Sequence, residues 1–164
     1  MIIYLIGFMG VGKTTVGTKL AEDMGYEFVD TDEMIESKEG LIINEIFEQK
    51  GEDYFRKLET DTIKELVNKD NIVVSCGGGI IKNKTNVQLM KESGRVILLE
   101  SPAEVIYERV KDTDNRPLLK GRNNIDGIRS LIEERQPLYN MAFTDRVNAD
   151  AKPANVVAKI KELL

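Results

Sequence analysis

Residues 7–15 read Gly-Phe-Met-Gly-Val-Gly-Lys-Thr-Thr, and they contain the complete phosphate-binding motif G-x-x-x-x-G-K-[ST]. The apolar run Met1–Ile6 precedes the motif, and apolar residues at helical spacing follow it, beginning with Val16 and Leu20. A predicted strand, a glycine-rich loop and a predicted helix therefore succeed one another, which is the context that the motif needs in order to bind phosphate. The same succession is typical of α/β proteins with a parallel sheet, so this stretch also predicts the fold class.

The residue types in the loop match the chemistry of a nucleotide's phosphate chain. The glycines Gly7, Gly10 and Gly12 let the backbone curl so that its N–H groups point at the phosphates. Lys13 reaches the β- and γ-phosphates, Thr14 offers its hydroxyl to Mg²⁺, and the helix N-terminus adds its dipole. The alternative is a glycine-rich strand-to-helix turn with an accidental lysine. The predicted phosphate-binding residues are Gly10, Val11, Gly12, Lys13, Thr14 and Thr15.

Composition limits the class of protein. The 164 residues suit a single domain, residues 1–164, and the formal net charge of −5 argues against a nucleic-acid partner. The single cysteine, Cys76, has no partner for an internal disulfide, so a reducing cytoplasm is expected. The apolar N-terminus lacks a cationic region and is predicted to be a buried strand rather than a signal peptide. No apolar run approaches the ~18 residues of a membrane span, so no membrane association is expected.

The chain contains no histidine. A Ser-His-Asp triad, a histidine-ligated zinc site and histidine general-base catalysis are therefore excluded. Any reaction must use carboxylates, arginine, lysine, backbone N–H groups and Mg²⁺, and phosphoryl transfer needs only that set.

Apolar strand-like runs alternate with helical patterns along the chain. Strands are predicted at Ile2–Ile6, Glu27–Val29, Ile72–Ser75, Val96–Glu100 and Arg146–Asn148. Helices are predicted at about 13–24, 43–50, 54–68, 84–93, 102–111, 126–140 and 154–163. This alternation predicts a parallel sheet with helices on both faces.

Two stretches interrupt the alternation. Residues 31–70 hold two or three helices without a strand, and residues 112–124 are polar and unpatterned. Insertions of this kind in a compact domain are usually functional. We therefore predict a helical substrate-binding insertion in the first stretch and a lid in the second.

Two carboxylates, Asp30 and Asp32, follow the predicted strand Glu27–Val29. Side chains two residues apart on an extended chain point to the same side, so both are predicted to face the phosphate loop at the carboxyl end of the strand. One carboxylate near Thr14 can hold Mg²⁺ through water, and the other can accept a hydrogen bond from a substrate hydroxyl. The alternative is that one or both cap a helix beginning near Glu33.

Three consecutive glycines, Gly77, Gly78 and Gly79, follow the apolar strand Ile72–Ser75 and Cys76. Because they carry no side chains, a ligand or another backbone segment can approach closely. The alternative is a flexible connection between a strand and a helix.

Three arginines are candidates for binding anions. Arg56 and Glu59 are spaced i, i+3 on one predicted helix, so Glu59 can orient the guanidinium of Arg56. Arg135 lies near the end of a helix just before Pro137, and Arg116 lies in the predicted lid. Each of these arginines has the alternative of being a solvated surface residue.

Taken together, these motifs resemble the shikimate kinase family. The matching elements, in the family's order, are residues 7–15, the Asp30–Asp32 pair, Phe55-Arg56-x-x-Glu59, Gly77–Gly79, Arg116-Pro-Leu-Leu119 and Arg135-x-Pro-Leu-Tyr139. The resemblance covers nearly the whole chain and implies ATP-dependent phosphorylation of the 3-hydroxyl of shikimate, in the chorismate route to aromatic amino acids. It also implies a monomer with the P-loop fold of nucleoside-monophosphate kinases, in which five parallel strands have the order 2-3-1-4-5.

The resemblance also implies roles for individual residues. The implied catalytic residues are Lys13, Asp32 and Arg116, and the implied magnesium ligands are Thr14 and Asp30. The implied shikimate-binding residues are Asp32, Arg56, Gly77, Gly78, Gly79 and Arg135. ATP is implied to contact the phosphate loop, Arg109, which packs on adenine, Arg116 and Lys152. One departure lies near Lys152, where the chain reads Asn148-Ala-Asp-Ala-Lys-Pro153 and the family often carries arginine before the proline.

Two other interpretations remain open from the sequence. A gluconate kinase or nucleoside-monophosphate kinase shares the loop and the lid, but lacks the Phe-Arg-x-x-Glu and triple-glycine elements. A nucleotide-sensing module would bind ATP and switch a protein partner, although the intact Lys13, Asp32 and Arg116 speak against it.

The predicted lid generates a test of Arg116. We expect Arg116→Ala to lower kcat on the order of 10³-fold, because the arginine contacts the phosphoryl group mainly in the transition state. Steady-state kinetics with both substrates varied should show much smaller changes in either KM. An increase in the KM for ATP alone would make Arg116 a nucleotide clamp and not a catalyst.

Overall fold

A parallel sheet of five strands forms the centre of the computed structural model, which describes residues 1–112 and 123–164. The strands are β1 (Ile2–Ile6), β2 (Glu27–Asp30), β3 (Ile72–Ser75), β4 (Arg95–Glu100) and β5 (Asp145–Asn148). Their order in the sheet is β2-β3-β1-β4-β5, so the predicted order 2-3-1-4-5 is confirmed. All five predicted strands are present, with ends shifted by at most 1 residue.

The central strand β1 determines where the phosphate loop begins. Its five residues are all buried, and it lies between β3 and β4. The parallel register pairs Leu5 with Ser75 of β3, and Ile6 with Leu98 of β4. Because these strands end at nearly the same level, the loop that follows β1 begins beside the residues that follow β3.

Helices surround the sheet in the described part of the chain. They are α1 (Lys13–Met24), α2 (Thr31–Glu39), α3 (Ile43–Lys50), α4 (Glu52–Leu66), α5 (Lys84–Ser93), α6 (Ala103–Val110), α7 (Ile125–Ala142) and α8 (Pro153–Leu163), with a short 3₁₀ turn at Ile80–Lys82. Helix α7 continues through Pro137 to Ala142, two residues beyond the predicted end at 140. Among residues 1–112 and 123–164, no helix combines the length and the apolar character needed to cross a bilayer.

The helices pack on both faces of the sheet, as the alternation predicted. On β1, Ile2, Tyr4 and Ile6 belong to the apolar cluster that includes residues of α4, α5 and α7. The alternate residues Ile3 and Leu5 belong to the cluster formed with α1 and α8. The period of two along β1 therefore divides its side chains between two cores.

Helices α2, α3 and α4 form the insertion predicted within residues 31–70. The insertion has a core of its own, built on Ile35, Ile46 and Phe55. Helices α6 and α7 pack together against Phe8 of the phosphate loop. The predicted lid, residues 112–124, lies almost entirely outside the described residues, and so does Arg116.

The close approach of Gly94 to β1 generates a test of the sheet. A Cβ atom on Gly94 would overlap the carbonyl oxygen of Ile2 and lie 2.9 Å from its carbonyl carbon. We expect Gly94→Ala to lower the free energy of unfolding by about 2–3 kcal/mol, because backbone of the central strand would have to move. Urea denaturation measures this loss.

Gly40 provides the control for Gly94. A Cβ atom there would meet no heavy atom of the described residues within 4 Å, although Gly40 has a φ of +68°. Gly40→Ala should therefore cost only about 1–2 kcal/mol, the strain of a left-handed backbone. A smaller loss for Gly94→Ala than for Gly40→Ala would contradict the packing argument.

Candidate active site

A cleft of about 510 Å³ opens at the carboxyl ends of the central strands. It is lined by the phosphate loop, the β2–α2 junction and the residues that follow β3. Open α/β sheets bind ligands at this edge, and the volume suits a small molecule or part of a nucleotide. The lining residues are Met9, Gly10, Gly12, Lys13, Thr14, Thr15, Asp30, Asp32, Glu33, Ser75, Cys76, Gly77, Gly78 and Arg109.

The phosphate loop adopts a backbone conformation that requires glycine. Gly10 has a φ of +79° and Gly12 a φ of +104°, values that residues with a Cβ rarely adopt. The Lys13 ammonium donates hydrogen bonds to the carbonyl oxygens of Gly7 at 2.7 Å and Phe8 at 3.4 Å. Lys13 therefore links the two residues at the start of the loop through their carbonyl oxygens.

Arg109 holds a second part of the loop. Its Nη1 atom donates to the carbonyl oxygens of Gly10 at 3.1 Å and Val11 at 2.9 Å. The guanidinium lies at the edge of the cleft, whereas Lys152 is an exposed residue that precedes α8. The contacts of Arg109 and Lys152 with adenine remain predictions.

The two aspartates line the cleft, but the backbone that carries them is not the extended chain that the sequence predicted. Asp30 ends β2 and caps α2, because its carboxylate accepts a hydrogen bond from the backbone N–H of Glu33 at 3.1 Å. Asp32 lies in the first turn of α2, so the extended backbone predicted for it is wrong. The capping alternative is therefore observed for Asp30, and both carboxylates nevertheless line the cleft.

Burial changes the acidity of Asp32. Burial and then the negative charge of Asp30 raise the pKa of this carboxyl to about 6, although Lys13 and Arg56 oppose the shift. Its Oδ1 atom is buried and has no hydrogen-bond partner among the described residues. A buried acceptor without a partner is costly, so this oxygen is suited to receive a hydrogen bond from a bound ligand.

The glycine turn, Gly77–Gly79, is packed against charged side chains. A Cβ atom on Gly77 would lie 2.5 Å from Asp32 Oδ1, and one on Gly78 would lie 3.1 Å from Arg135 Nη1. A Cβ atom on Gly79 would overlap the guanidinium of Arg56. Each glycine therefore makes room for one residue of the predicted shikimate-binding set.

The partners of Arg56 fix its orientation. Its Nη1 atom donates to Glu59 Oε1 at 2.7 Å, and its Nη2 atom donates to Glu52 Oε1 at 3.2 Å. The predicted pairing of Arg56 with Glu59 is thus confirmed. Glu59 is buried, and burial raises its pKa to about 7, although Arg56 acts in the opposite direction. The guanidinium also lies over the ring of Phe55, with 5.4 Å between Cζ and the ring centroid.

Arg135 is buried, so the surface alternative is wrong for this residue. Its Nη1 atom lies 3.5 Å from the carbonyl oxygen of Gly78, and its Cζ atom lies 5.4 Å from the centroid of the Phe8 ring. Arg135 therefore links helix α7 to the glycine turn and to the phosphate loop.

Sequence reasoning missed two residues of the site. The hydroxyl of Thr31 is buried and accepts a hydrogen bond from the backbone N–H of Gly77 at 2.9 Å. Burial lowers the pKa of Lys82, and the positive charges of Arg56 and Arg135 lower it further, so Lys82 lies near both arginines. The sequence offered one signal for each residue. Thr31 lies between Asp30 and Asp32, and Lys82 follows Gly79 by three residues.

The cleft contains oxygen donors of the type that Mg²⁺ prefers. The Thr14 hydroxyl and the Asp30 carboxylate line the same cavity, and Mg²⁺ typically takes one or two protein ligands and completes its shell with water and phosphate. In the described part of the chain, no group of three or more Cys, Asp or Glu side chains could hold a metal ion. The residues present therefore fit an ion that is held largely by a nucleotide and water.

Comparisons with known proteins agree with one another over nearly the full length of the chain. The family model described as shikimate kinase matches residues 9–164. A shikimate kinase from a Sulfurihydrogenibium species is 48% identical, with 96% of this chain and 94% of that protein covered. The shikimate kinase of Aquifex aeolicus is 45% identical, with 98% and 94% covered.

A solved structure gives the same result. The shikimate kinase from Acinetobacter baumannii in complex with shikimate has a TM-score of 0.92 and 40% sequence identity. The alignment covers 99% of this chain and 91% of that chain.

The buried carboxylate of Asp32 generates a pH-dependent test. Its pKa lies above the ordinary value of 3.8, so ionisation costs folding free energy as the pH rises from about 4 to above 6. We expect Asp32→Asn to increase the free energy of unfolding by about 1–2 kcal/mol at pH 8, and by less at pH 4.5. Urea denaturation of the ligand-free protein at both pH values measures the difference.

Glu33→Gln is the matched control, because Glu33 is exposed and adjacent in the sequence. It should change stability little at either pH. An Asp32→Asn variant that is no more stable than the wild type at pH 8 would show that the carboxylate is not penalised by burial.

Proposed function

Because the chain belongs to the shikimate kinase family, we propose that it transfers the γ-phosphoryl group of ATP to the 3-hydroxyl of shikimate. The products are shikimate 3-phosphate and ADP, and the reaction serves chorismate and aromatic amino-acid synthesis. One observation carries the proposal: Asp32, Arg56 and Arg135 surround a single glycine turn beside the phosphate loop. An acceptor bound there would lie next to the phosphates of a nucleotide in the same cleft.

The two arginines provide the recognition of the acceptor's carboxylate. A guanidinium is planar and can donate two parallel hydrogen bonds to a carboxylate, which gives direction as well as attraction. Arg56 and Arg135 approach the glycine turn from helices α4 and α7, on different sides. A small acid whose carboxylate is held between them would place its ring and hydroxyl groups against the turn, where backbone groups are accessible.

Asp32 orients the hydroxyl that is phosphorylated. With a pKa of about 6, its carboxylate is mostly ionised at neutral pH and accepts a hydrogen bond from the acceptor hydroxyl. The transition state of phosphoryl transfer is loose, so positioning this hydroxyl matters more than removing its proton early. Oδ1 is the atom placed for this contact, because it is buried and lies against Gly77.

The cations around the loop stabilise the charge on the transferred group. Lys13 leaves the carbonyl oxygens of the loop and donates to the β- and γ-phosphate oxygens when ATP binds. A magnesium ion held by Thr14 and Asp30 would neutralise part of the same charge. We place Arg116 in the lid as a further cation at the phosphates, and Arg109 and Lys152 beside the adenosine.

We also propose that the enzyme is a cytoplasmic monomer whose partner is its small-molecule substrate. The single cysteine is buried, and burial raises the pKa of its thiol far above the ordinary value, which suits a reducing compartment without a disulfide. The net charge of −5 supports the proposal that no nucleic acid is a partner.

An assay of ADP release tests the proposed function. The wild type is incubated with ATP and Mg²⁺ together with shikimate, with gluconate, or without an acceptor, and only shikimate should give rapid turnover. Lys13→Ala is the inactive control and should keep a wild-type circular dichroism spectrum. Turnover with gluconate but not with shikimate, or ADP release that is equal with and without shikimate, would exclude shikimate as the substrate.

The two arginines generate a binding prediction. We expect Arg56→Ala and Arg135→Ala each to weaken shikimate binding about 10- to 150-fold, the loss of ~1.5–3 kcal/mol from a charge-assisted hydrogen bond. Arg56→Lys should recover only part of the affinity, because lysine cannot make a bidentate contact. Calorimetric titration with shikimate and separately with ADP measures both affinities.

Arg129→Ala is the matched control, because Arg129 is an exposed arginine of the same helix α7, paired with Glu104 and Asp126. Its shikimate and ADP affinities should equal those of the wild type. Unchanged shikimate affinity in both Arg56→Ala and Arg135→Ala would remove these residues from the site.

A further inference from the structure

The two arginines beside the glycine turn are held in different ways. Arg56 forms ion pairs with Glu52 and Glu59. For Arg135, no carboxylate of residues 1–112 and 123–164 lies within ion-pair distance, although the side chain is only 6% exposed. The ring of Phe8 lies against its guanidinium, within the ~6 Å range of a cation–π contact, and the hydroxyl of the buried Tyr139 also lies close to it.

Phe8 is itself immobilised by its surroundings. It is 3% exposed and belongs to the apolar cluster formed by α6 and α7, together with Ile106, Val110 and Ile128. Its backbone belongs to the phosphate loop, and its carbonyl oxygen is one of the two that accept a hydrogen bond from Lys13. The ring is therefore a fixed platform that connects the loop to Arg135.

An aromatic platform and a carboxylate have different consequences for a guanidinium. A carboxylate fixes the orientation but neutralises the charge and occupies the N–H groups that a ligand's carboxylate needs. A ring contacts the flat face of the guanidinium, so the N–H groups at its edge stay available in the plane. The one other polar contact of Arg135 to the turn, with the Gly78 carbonyl, is long at 3.5 Å.

From this geometry we propose that Phe8 is a positioning residue for the acceptor. It acts through Arg135, whose guanidinium it orients without neutralising, and it fixes the distance between the acceptor's carboxylate and the phosphate loop. The proposal rests on the proposed function, because it takes a carboxylate-bearing acceptor as the ligand of Arg135.

Replacement of the ring tests the proposal. We expect Phe8→Leu to raise the dissociation constant for shikimate about three- to thirtyfold, the range of a desolvated cation–π contact. The dissociation constant for ADP, measured without shikimate, should stay within about twofold, because the backbone of the loop is retained. Phe8→Tyr keeps the aromatic face and should bind shikimate about as well as the wild type.

A double-mutant cycle separates positioning from general packing. In the Arg135→Ala background, Phe8→Leu should change shikimate affinity by less than about twofold, because the guanidinium that the ring orients is gone. Ile128→Val is the control, since it removes a methylene from the same cluster without touching Arg135. It should lower the melting temperature but leave shikimate affinity unchanged.

The possible outcomes are distinct. Equal weakening by Phe8→Leu in both backgrounds, or equal loss of ADP binding, would reduce Phe8 to a packing residue and overturn the proposal. Phe8→Met, whose unbranched and flexible side chain adapts to irregular gaps, replaces Phe8→Leu if that variant does not fold. If the wild type gave no shikimate-dependent ADP release, the proposed function would fail. If the wild type were active and Phe8→Leu left the dissociation constant for shikimate unchanged, only the inference about Phe8 would be contradicted.

Discussion

The Gly77–Gly79 turn can lie among three charged side chains only because it has no side chains of its own. Asp32 and Arg56 occupy the space that Cβ atoms of Gly77 and Gly79 would need, and a Cβ atom of Gly78 would be in tight contact with Arg135, 3.1 Å from its Nη1 atom. The turn is held in place by the hydrogen bond from the Gly77 N–H to the buried hydroxyl of Thr31. This bond joins the end of β3 to the start of α2, and it fixes the distance between the turn and Asp32.

Around the turn, the charges of Asp32, Glu59 and Arg56 oppose one another within the protein before any ligand binds. Asp32 and Glu59 are acids with raised pKa values, and each is opposed by the positive charge of Arg56. Burial weakens both acids, while the arginine keeps them from being fully neutral. A ligand that brings its own carboxylate and hydroxyls completes this arrangement, since it supplies an anion for the arginines and a donor for Asp32.

Much of the fold could be predicted because local signals are strong in this chain. Apolar runs marked the strands to within one residue, and the i, i+3 spacing of Arg56 and Glu59 was enough to predict their ion pair. The start of α2 was harder to predict, because Asp30 both ends a strand and caps a helix without any intervening loop. The strand order itself came from the family resemblance and not from periodicity.

Other parts of the site depend on tertiary packing that no local pattern encodes. The burial of Arg135 results from the way α7 packs against the phosphate loop. The surrounding helical sequence is acidic, which is typical of an exposed helix. The contact of Arg135 with Phe8 joins residues from opposite ends of the chain. The raised pKa values likewise follow from burial, which a sequence does not display.

The central position of β1 also sets the order in which the chain can fold during synthesis. Of the five strands β1 is made first, but its neighbours β3 and β4 begin only at Ile72 and Arg95. Parallel strands cannot pair until the connecting segments have been made, so β1 has no partner strand until β3 has been made. A nascent chain that ends before Ile72 therefore leaves the apolar residues of β1 without a partner strand, and such exposed apolar surface is a natural target for chaperones.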